Sequence, residues 1–397
     1  MIIQTSDFPA PGLEAMSNSS ELLKHIRSVI EDSDGWISFA EYMNMVLYTP
    51  GLGYYSAGAK KLGQLGDFVT APELSPLFSK CLGVQIAKIL ENFSSGSVLE
   101  LGAGLGTMAA DLLIELERLD VIPEQYLILE TSADLRSRQM STIQEKAPHL
   151  VDYVHWLDGI PESKINGVVI ANEVIDALPV SRFVVDPSQA SQISELGVIY
   201  SEGKLKSSVH PPSSNLLRAL RPVLESSEFK FPSGYTSEVN INLSKWIASI
   251  SDWINQGAFL IFDYGFSRSE YYHPDRASGT LRCFYKHRAH EDPFFWPGLQ
   301  DISSWVDFTL IAESADASGF DVSSYTTQAQ FLLASDIEAH LEPKKISSRP
   351  EQLSTLQGLK RLILPGEMGE AIKVMSLTRG NIQLPDGIKG RDMRGSL

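Results

Sequence analysis

One segment constrains the fold of this chain more than any other: residues 97–107, which read SVLELGAGLGT. An apolar run ends in an acidic residue, glycines follow at the alternate positions Gly102, Gly104 and Gly106, and a helical pattern begins at once. Glycines suit a loop that turns tightly and brings backbone N–H groups against a ligand without a Cβ in the way. The segment predicts a strand, a glycine loop and a helix that hold a nucleotide-like ligand. The alternative is a tight strand-to-helix connection with no ligand.

A second apolar run, residues 126–130, ends in Glu130, where the second strand of a βαβ unit places an acid for a ribose diol. Leucines at helical spacing between the two runs predict the crossover helix. The Gly-x-Gly-x-Gly spacing with Glu100 before it is more typical of an S-adenosylmethionine site than of a dinucleotide site, because a carboxylate can engage the ammonium that only the former ligand has. Alternatively, Glu100 is a strand-end acid bound to loop amides. The predicted cofactor-binding residues are Glu100, Gly102, Ala103, Gly104, Gly106, Thr107, Glu130, Thr131, Asp158 and Asn172.

Charge and cysteine content limit the possible partners and compartments. The 397 residues include 33 basic and 49 acidic side chains, a formal net charge of −16, which disfavours binding to the phosphate backbone of nucleic acids. The two cysteines, Cys81 and Cys283, lie far apart and outside any metal-ligand spacing, so we expect neither a disulfide nor a metal site. The sequence shows no signal peptide, transit peptide or membrane span, which favours a cytoplasmic protein.

Alternating strand and helix patterns predict an α/β fold with a seven-stranded, mostly parallel sheet. Together with the S-adenosylmethionine site indicated by the glycine loop, this sheet favours the class I, Rossmann-like methyltransferase fold. We expect strands at 97–101, 126–130, 151–156, 167–171 and 258–263, a helix near 301–315, a strand near 320–326 and a last strand at 371–377. Residues 1–18 are expected to be disordered, and residues 19–93 are expected to form an N-terminal helical cap and a cofactor-covering loop. Residues 94–179 and 257–397 are expected to form the core. Residues 180–256 are expected to form an inserted α+β lobe that binds a substrate or partner. Within that lobe, residues 197–205 predict a hairpin with Glu-Gly at its turn.

The predicted fourth strand continues into ANEVIDALP, residues 171–179. Ligands of open α/β sheets bind outside the carboxyl ends of the strands, so we expect Asn172, Glu173 and Asp176 around the reactive end of the cofactor. A guanidinium stays protonated near neutral pH, so an enzyme that methylates it needs carboxylates to gather its charge and a base to accept a proton. Glu173 and Asp176 suit these roles. Alternatively, Asp176 caps the following turn and Glu173 only lines the pocket.

Other polar residues are weaker candidates for the same site. Asp67 lies in a loop before the core and is predicted either to close over the cofactor or to form a turn. Trp156 and Asp158, at the end of the third strand, suggest an apolar wall and a polar contact for adenine, although Trp156 suits a buried structural role equally well. Asp263 ends the fifth strand on the same rim. The predicted catalytic residues are Glu173, Asp176, Asn172 and Asp67.

Six short motifs together resemble the MidA-like family of S-adenosylmethionine-dependent methyltransferases, whose mitochondrial member is an assembly factor of respiratory complex I. The motifs are LYTPGLGYY (47–55), GDFVTAPE (66–73), ELGAGLGT (100–107), ANEVIDALP (171–179), DYG (263–265) and TQAQFL (327–332). The resemblance covers about residues 20 to 380. It implies symmetric dimethylation of an arginine on the complex I subunit that corresponds to the 49-kDa quinone-site subunit. It also supports Gly102, Gly104 and Glu130 for the cofactor and the Asn172–Glu173 pair for the rim.

The leading hypothesis is therefore a protein arginine methyltransferase that acts on a protein partner and does not bind nucleic acid, with a homodimer as a candidate assembly. The loop after the fourth strand is not the Asn-Pro-Pro-Tyr type that methylates amines of bases, which, with the acidic charge, argues against DNA methylation. An assembly or binding factor that uses the methyltransferase fold with little catalysis is the main alternative. A nicotinamide-dependent oxidoreductase is disfavoured by the glycine spacing and by Glu100.

Overall fold

The computed structural model of this protein describes residues 8–57, 69–161, 163–186, 193–226, 228–341 and 349–397. Within these ranges the strands, numbered in chain order, are β1 (Ile37–Ser38), β2 (Ser97–Leu101), β3 (Tyr126–Leu129), β4 (Val154–Leu157), β5 (Ile165–Asn172), β6 (Ser181–Val185), β7 (Ile193–Ser201), β8 (Lys204–His210), β9 (Thr236–Val239), β10 (Ile254–Phe266), β11 (Arg282–Tyr285), β12 (Arg288–His290), β13 (Asp301–Ser303), β14 (Val306–Asp307), β15 (Asp321–Thr327) and β16 (Ile372–Arg379).

The α-helices of the same ranges are α1 (Leu13–Asp32), α2 (Phe39–Tyr48), α3 (Ala71–Leu74), α4 (Pro76–Leu90), α5 (Thr107–Arg118), α6 (Ala133–Lys146), α7 (Ser214–Leu224), α8 (Leu243–Trp253), α9 (Arg268–Tyr271), α10 (Phe308–Ala317), α11 (Gln328–Ala334), α12 (Arg349–Ile363), α13 (Met368–Ala371) and α14 (Asp386–Lys389). Within these ranges, no helix is both long enough and apolar enough to cross a membrane.

The largest sheet runs in the order β4–β3–β2–β5–β10–β16–β15, and the short β14 pairs with the end of β10. Strands β4, β3, β2, β5 and β10 are parallel to their neighbours, whereas β16 runs antiparallel to both β10 and β15. Pairing aligns Leu101 with Leu129 on one side and with Ala171 on the other. The carboxyl ends of the three central strands therefore meet at one edge, where a ligand site is expected.

Both faces of this sheet are covered, which explains its nearly continuous apolar strands. Successive residues of a strand point to opposite faces. Val168 and Ile170 accordingly join the core formed with α4 and α5, whereas Val169 and Ala171 join the core formed with α8 and α10. The sequence therefore specifies a three-layer α/β/α core.

The inserted segment forms a second, antiparallel sheet in the order β1–β7–β6–β9, with β8 paired to β7. The predicted hairpin is present: β7 and β8 pair from Ser201 to Lys204, and both turn residues, Glu202 and Gly203, have a positive φ. Strand β1 reaches this sheet from the N-terminal part of the chain, where Ile37 pairs with Val198. The N-terminal part is thus not purely helical, contrary to the prediction.

Several predicted boundaries are wrong. The prediction assigned residues 243–253, which form α8, to the inserted lobe. In the structure, α8 buries Leu243, Ile247 and Ile250 against the main sheet and belongs to its core. Conversely, Leu281 and Ile302, placed in the core, pack with the N-terminal helices α1 and α2. Both errors have one cause: tertiary packing between distant segments leaves no mark on local periodicity.

Four local predictions also need correction. The main sheet has eight strands, not the predicted seven. The prediction missed β14, because its two residues are too few to show a pattern. Residues 148–153 form a 3-10 helix, so the strand predicted at 151–156, which is β4, begins at Val154. Residues 301–307 contain β13 and β14, so the helix predicted near 301–315 begins only at Phe308. Asp307 caps this helix, because its carboxylate accepts a hydrogen bond from the Leu310 N–H. Helix α1 begins at Leu13, inside the segment predicted to be disordered.

Candidate active site

The glycine loop between β2 and α5 has the conformation that its sequence requires. Gly102, Gly104 and Gly106 have φ angles of +65°, +53° and +81°, a region that side chains with a Cβ rarely adopt. Gly106 lies at the start of α5, and a Cβ built there would lie 2.9 Å from the Cα of Gln139 in α6. Gly106 is thus needed for backbone geometry and for close packing of two helices.

A cavity of about 330 Å³ opens beside this loop, at the carboxyl ends of β2, β3 and β5. Three carboxylates from these three strand ends line it: Glu100, Glu130 and Glu173. Its other walls are largely apolar, and two tryptophans of α8, Trp246 and Trp253, lie among them. This combination of an apolar cavity with a few convergent polar groups is typical of a small-molecule site.

Glu130 is held in place by donors on both of its carboxylate oxygens. Its Oε1 accepts a hydrogen bond from the Ser132 N–H at 2.9 Å, and its Oε2 accepts one from the Gln139 side chain at 3.1 Å. The same Gln139 amide donates to the Gly104 carbonyl at 3.0 Å, which ties the carboxylate to the glycine loop. Burial raises the pKa of Glu130, and these donors oppose that effect. The carboxylate is therefore pre-oriented to accept hydrogen bonds from a ligand.

Glu100 is almost fully buried and accepts a hydrogen bond from the Tyr126 hydroxyl at 2.6 Å. Burial raises the pKa of Glu100 to about 7, the Tyr126 hydrogen bond opposes the rise, and the nearby charge of Glu130 adds to it. A bound cation would favour the ionised form of this carboxyl group. Glu100 is therefore suited to an ammonium group.

Asn172 is the last residue of β5, Glu173 follows it directly, and both line the same cavity. Glu173 has a φ of +53°, unusual for a residue with a side chain, and its N–H donates to the Phe262 carbonyl at 2.8 Å. Its Oε1 accepts hydrogen bonds from the Ala71 N–H at 3.1 Å and from the Asn172 amide at 3.4 Å. Burial, reinforced by repulsion from Asp176, raises the pKa of Glu173 to about 8. The Oδ1 of Asn172 is buried and accepts no hydrogen bond from the residues described.

Asp176 and Asp263 lie behind Glu173 and do not line the cavity. Asp263 is fully buried, and its carboxylate accepts hydrogen bonds from the N–H groups of residues 174–176 and of Tyr264. It therefore shapes the loop that carries Glu173. Burial and repulsion from Asp263 raise the pKa of Asp176. Within the ranges that the structure covers, neither Glu173 nor Asp176 forms an ion pair with a basic side chain, and no acidic group there is arranged to bind a metal ion.

The family relationship follows from a comparison of this chain with known sequences. A family model described as an S-adenosyl-L-methionine-dependent methyltransferase matches residues 81–326, which is more than half of the chain. The chain belongs to this family. The matched segment contains the glycine loop and the residues at the ends of β2, β3 and β5 that line the cavity, so the family match includes the observed site.

Named relatives extend the match beyond that segment. The methyltransferase is 28% identical to the mitochondrial protein arginine methyltransferase NDUFAF7 homolog of Drosophila melanogaster, over 94% of this chain and 88% of that protein. It is 29% identical to the mitochondrial protein arginine methyltransferase NDUFAF7 of Rattus norvegicus, over 90% of this chain and 84% of that protein. The similarity therefore spans the N-terminal part and the inserted sheet as well as the core.

A solved structure from Burkholderia thailandensis, with S-adenosyl-homocysteine bound, matches this methyltransferase with a TM-score of 0.91 and 38% identity. The match covers 98% of this chain and 100% of the B. thailandensis chain. A second, native structure from the same organism matches with a TM-score of 0.87 and 37% identity. Together with the family match, this shows that the protein is an enzyme and that S-adenosylmethionine is its cofactor.

The structure brings most of the predicted site residues of the methyltransferase together. Those that line the cavity are Glu100, Gly102, Ala103, Gly104, Thr107, Glu130, Thr131, Asn172 and Glu173. Their individual roles stay predictions. Asp67 lies outside the described residues.

Four predicted residues lie elsewhere. Gly106 and Asp176 are not among the residues that line the cavity. Asp158 is exposed and forms an ion pair with Arg136 at 2.6 Å, so it is not a wall of the cavity. Trp156 donates a hydrogen bond to the Gln139 side chain at 2.8 Å and packs into the core beneath α5 and α6. The structural alternative for Trp156 is therefore the correct one.

Sequence reasoning missed the aromatic walls of the cavity. Trp246 and Trp253 come from α8, whose sequence shows an ordinary amphipathic helix with nothing to mark a ligand. Tyr48 and Tyr55 also line the cavity and lie in the motif LYTPGLGYY, which contributed to the family resemblance but received no chemical role. That motif was the available signal.

Proposed function

We propose that this methyltransferase modifies arginine side chains of a protein substrate. The observation that carries the proposal is the placement of Glu173 at the cavity, backed by Asp176, with no ion pair from either to a basic residue within the described ranges. Half-buried carboxylates in such a place favour a cationic acceptor, because a cation relieves both their desolvation and their mutual repulsion. The names of the relatives from D. melanogaster and R. norvegicus, protein arginine methyltransferases, support the same substrate class.

The residues present fit the cofactor. Glu130 would hold the ribose hydroxyls, Glu100 the ammonium, and the backbone of the loop from Gly102 to Gly104 would pack against the ligand. The unpartnered, buried Oδ1 of Asn172 is a further acceptor for a donor of the ligand. The apolar end beside Trp246 would hold the adenine, a role that the sequence analysis gave to Trp156.

When bound, S-adenosylmethionine supplies a methyl group from its sulfonium sulfur to a guanidinium nitrogen, which loses one proton as the sulfur–carbon bond breaks. The chain's own residues position the acceptor and handle that proton. Glu173, ionised by the approaching cation, would pair with the guanidinium and could accept the proton, while Asp263 fixes the loop that carries Glu173. Asp176 would add negative potential from behind.

The methylation product and the identity of the target protein belong to the same proposal. The family resemblance supports symmetric dimethylation and, as the target, the complex I subunit that corresponds to the 49-kDa quinone-site subunit. The cytoplasmic location and the homodimer expected from the sequence stay predictions.

The proposal is tested with the full chain, tritiated S-adenosylmethionine and an extract of cells that lack the gene, so that the target is unmethylated. We expect label in methylarginine after acid hydrolysis. Glu173→Gln should reduce transfer by about 100-fold or more, because an amide neither neutralises a cation nor accepts its proton. The affinity for S-adenosylhomocysteine should change less than threefold by calorimetry, by about 0.6 kcal/mol at most.

Glu225→Gln is the matched control, because Glu225 is an exposed carboxylate directly after α7 and does not line the cavity. Label in lysine or another residue would overturn the substrate class. Binding of S-adenosylhomocysteine with no label in any protein would favour the alternative of an assembly factor with little catalysis.

A further inference from the structure

The motif LYTPGLGYY forms a tight turn that folds back on the end of α2. The N–H groups of Tyr54 and Tyr55 donate to the carbonyls of Val46 and Leu47, at 2.8 and 2.9 Å. A Cβ at Gly53 would lie 2.7 Å from the Leu47 carbonyl oxygen, so only glycine fits at this point of the turn. The turn therefore fixes the position of Tyr55 relative to Tyr48.

The result is a pair of stacked rings on the cavity. The ring centroids of Tyr48 and Tyr55 are 5.6 Å apart, with 23° between the ring planes. Both side chains are half-buried and line the same cavity as Glu173. Asp176 and Asp301 are charged neighbours of both tyrosines and of Glu173, so the aromatic pair lies in the same part of the molecule as the acceptor carboxylate.

Both hydroxyl groups already donate to protein acceptors. The Tyr48 hydroxyl donates to the Ala177 carbonyl at 2.8 Å, and the Tyr55 hydroxyl donates to the Asp301 carboxylate at 2.7 Å. Burial and the neighbouring carboxylate of Asp301 raise the pKa of both phenols, so they remain neutral donors. Each ring is thus anchored at its tip, and its π face is what it can offer to a ligand.

A carboxylate beside aromatic faces is suited to a planar cation. Glu173 Oε1 is occupied by the Ala71 and Asn172 donors, whereas its Oε2 accepts no hydrogen bond from any residue that the structure describes. A guanidinium can pair with a carboxylate through its edge and stack its face on an aromatic ring at once. The compact, strongly hydrated ammonium of lysine cannot stack in this way.

We propose that the Tyr48–Tyr55 pair is the wall on which the acceptor guanidinium stacks, and that it sets the preference for arginine over lysine. The inference rests on the proposed function and adds a specificity determinant to it. Tyr48 and Tyr55 act on binding and orientation, so their loss changes acceptor affinity and selectivity rather than cofactor affinity.

The test uses N-acetyl-arginine methylamide and N-acetyl-lysine methylamide as probes, with the full chain saturated by S-adenosylhomocysteine and dissociation constants measured by NMR. Wild type should prefer the arginine probe, and Tyr48→Leu or Tyr55→Leu should weaken arginine binding about tenfold, a loss between those of an exposed and of a desolvated cation–π contact. Tyr48→Phe and Tyr55→Phe keep the ring and should retain the preference. Tyr153→Leu, outside the cavity, is the control.

A second measurement needs no variant: the δ-methylene protons of the bound arginine probe should shift upfield through the ring current of the tyrosines. Leucine variants that keep wild-type preference, or the absence of that upfield shift, would overturn the inference and leave arginine methylation standing. A wild-type protein that binds neither probe, or that prefers lysine, would overturn both.

Discussion

Glu173 meets two demands that rarely coincide at one residue. Its backbone lies in the left-handed region and its carboxyl group lies in a cavity that raises its pKa to about 8. Each feature costs free energy in the folded protein, and such costs are typical of functional positions. The surrounding hydrogen bonds from Ala71 and to Phe262 hold the residue in this arrangement.

The raised pKa predicts the pH dependence of methyl transfer. Below about pH 8 the Glu173 carboxyl group of the free enzyme is mostly protonated and can neither pair with a cation nor accept a proton. We expect kcat/KM for an arginine peptide to rise about tenfold per pH unit toward pH 8 and then to level off. Glu173→Gln should show a flat profile over this range. A wild-type profile that is flat between pH 6 and 8 would contradict the prediction.

Glu130 predicts a loss of cofactor affinity. Charged hydrogen bonds of the kind expected between this carboxylate and ribose hydroxyls are worth about 1.5–3 kcal/mol. Glu130→Ala should therefore weaken S-adenosylhomocysteine binding by one to two orders of magnitude, as measured by calorimetry. Glu117→Ala, which removes an exposed carboxylate on α5, serves as the control. Unchanged affinity of the Glu130 variant would remove Glu130 from the cofactor site.

At the scale of elements, the contact between α5 and α6 sets the shape of the glycine loop. Gly106 begins α5 against the backbone of Gln139, and the Gln139 side chain reaches both the loop carbonyl of Gly104 and the carboxylate of Glu130. The two helices therefore position the loop and the ribose-binding acid as one unit. A change in the spacing of α5 and α6 should therefore alter cofactor affinity, although the altered residue need not contact the ligand.

Gly106→Ala tests this coupling. Its new Cβ meets backbone atoms that cannot move alone, and its φ is positive, so we expect a destabilisation of about 1–3 kcal/mol and weaker cofactor binding. Gly319→Ala is the matched control, because Gly319 has a φ of +78° but open space around its Cβ position. Denaturant unfolding of both variants separates backbone strain from the clash. Equal losses in the two variants would show that the helix contact contributes nothing.

At the scale of the whole molecule, the net charge of −16 favours a basic partner. Screening shortens the range of this attraction from roughly 20 Å at 0.02 M salt to about 6 Å at 0.3 M. We expect kcat/KM for an arginine-rich peptide to fall several-fold over this range, whereas the affinity for S-adenosylhomocysteine should stay within twofold. A salt-independent kcat/KM would show that the global charge serves solubility alone.

The parts of the molecule that sequence predicted well are those encoded locally. The glycine loop, the acid directly after β3 and the hairpin at Glu202–Gly203 each follow from spacing within a few residues. Other contacts depend on packing between distant segments. Examples are the hydrogen bond of Trp156 to Gln139 and that of the Tyr48 hydroxyl to the Ala177 carbonyl, 129 positions away. For such contacts a single sequence carries no period or composition that could indicate the partner.

The pairing of Ile37 with Val198 has a consequence for how this enzyme is made. A ribosome releases β1 long before it releases β7, and the residues that complete the surrounding cluster, up to Ile302, come later still. Contacts so distant along the chain form slowly, because a large loop must close first. The Tyr48–Tyr55 pair packs against this cluster, so it takes its final position only after about three quarters of the polypeptide has been translated.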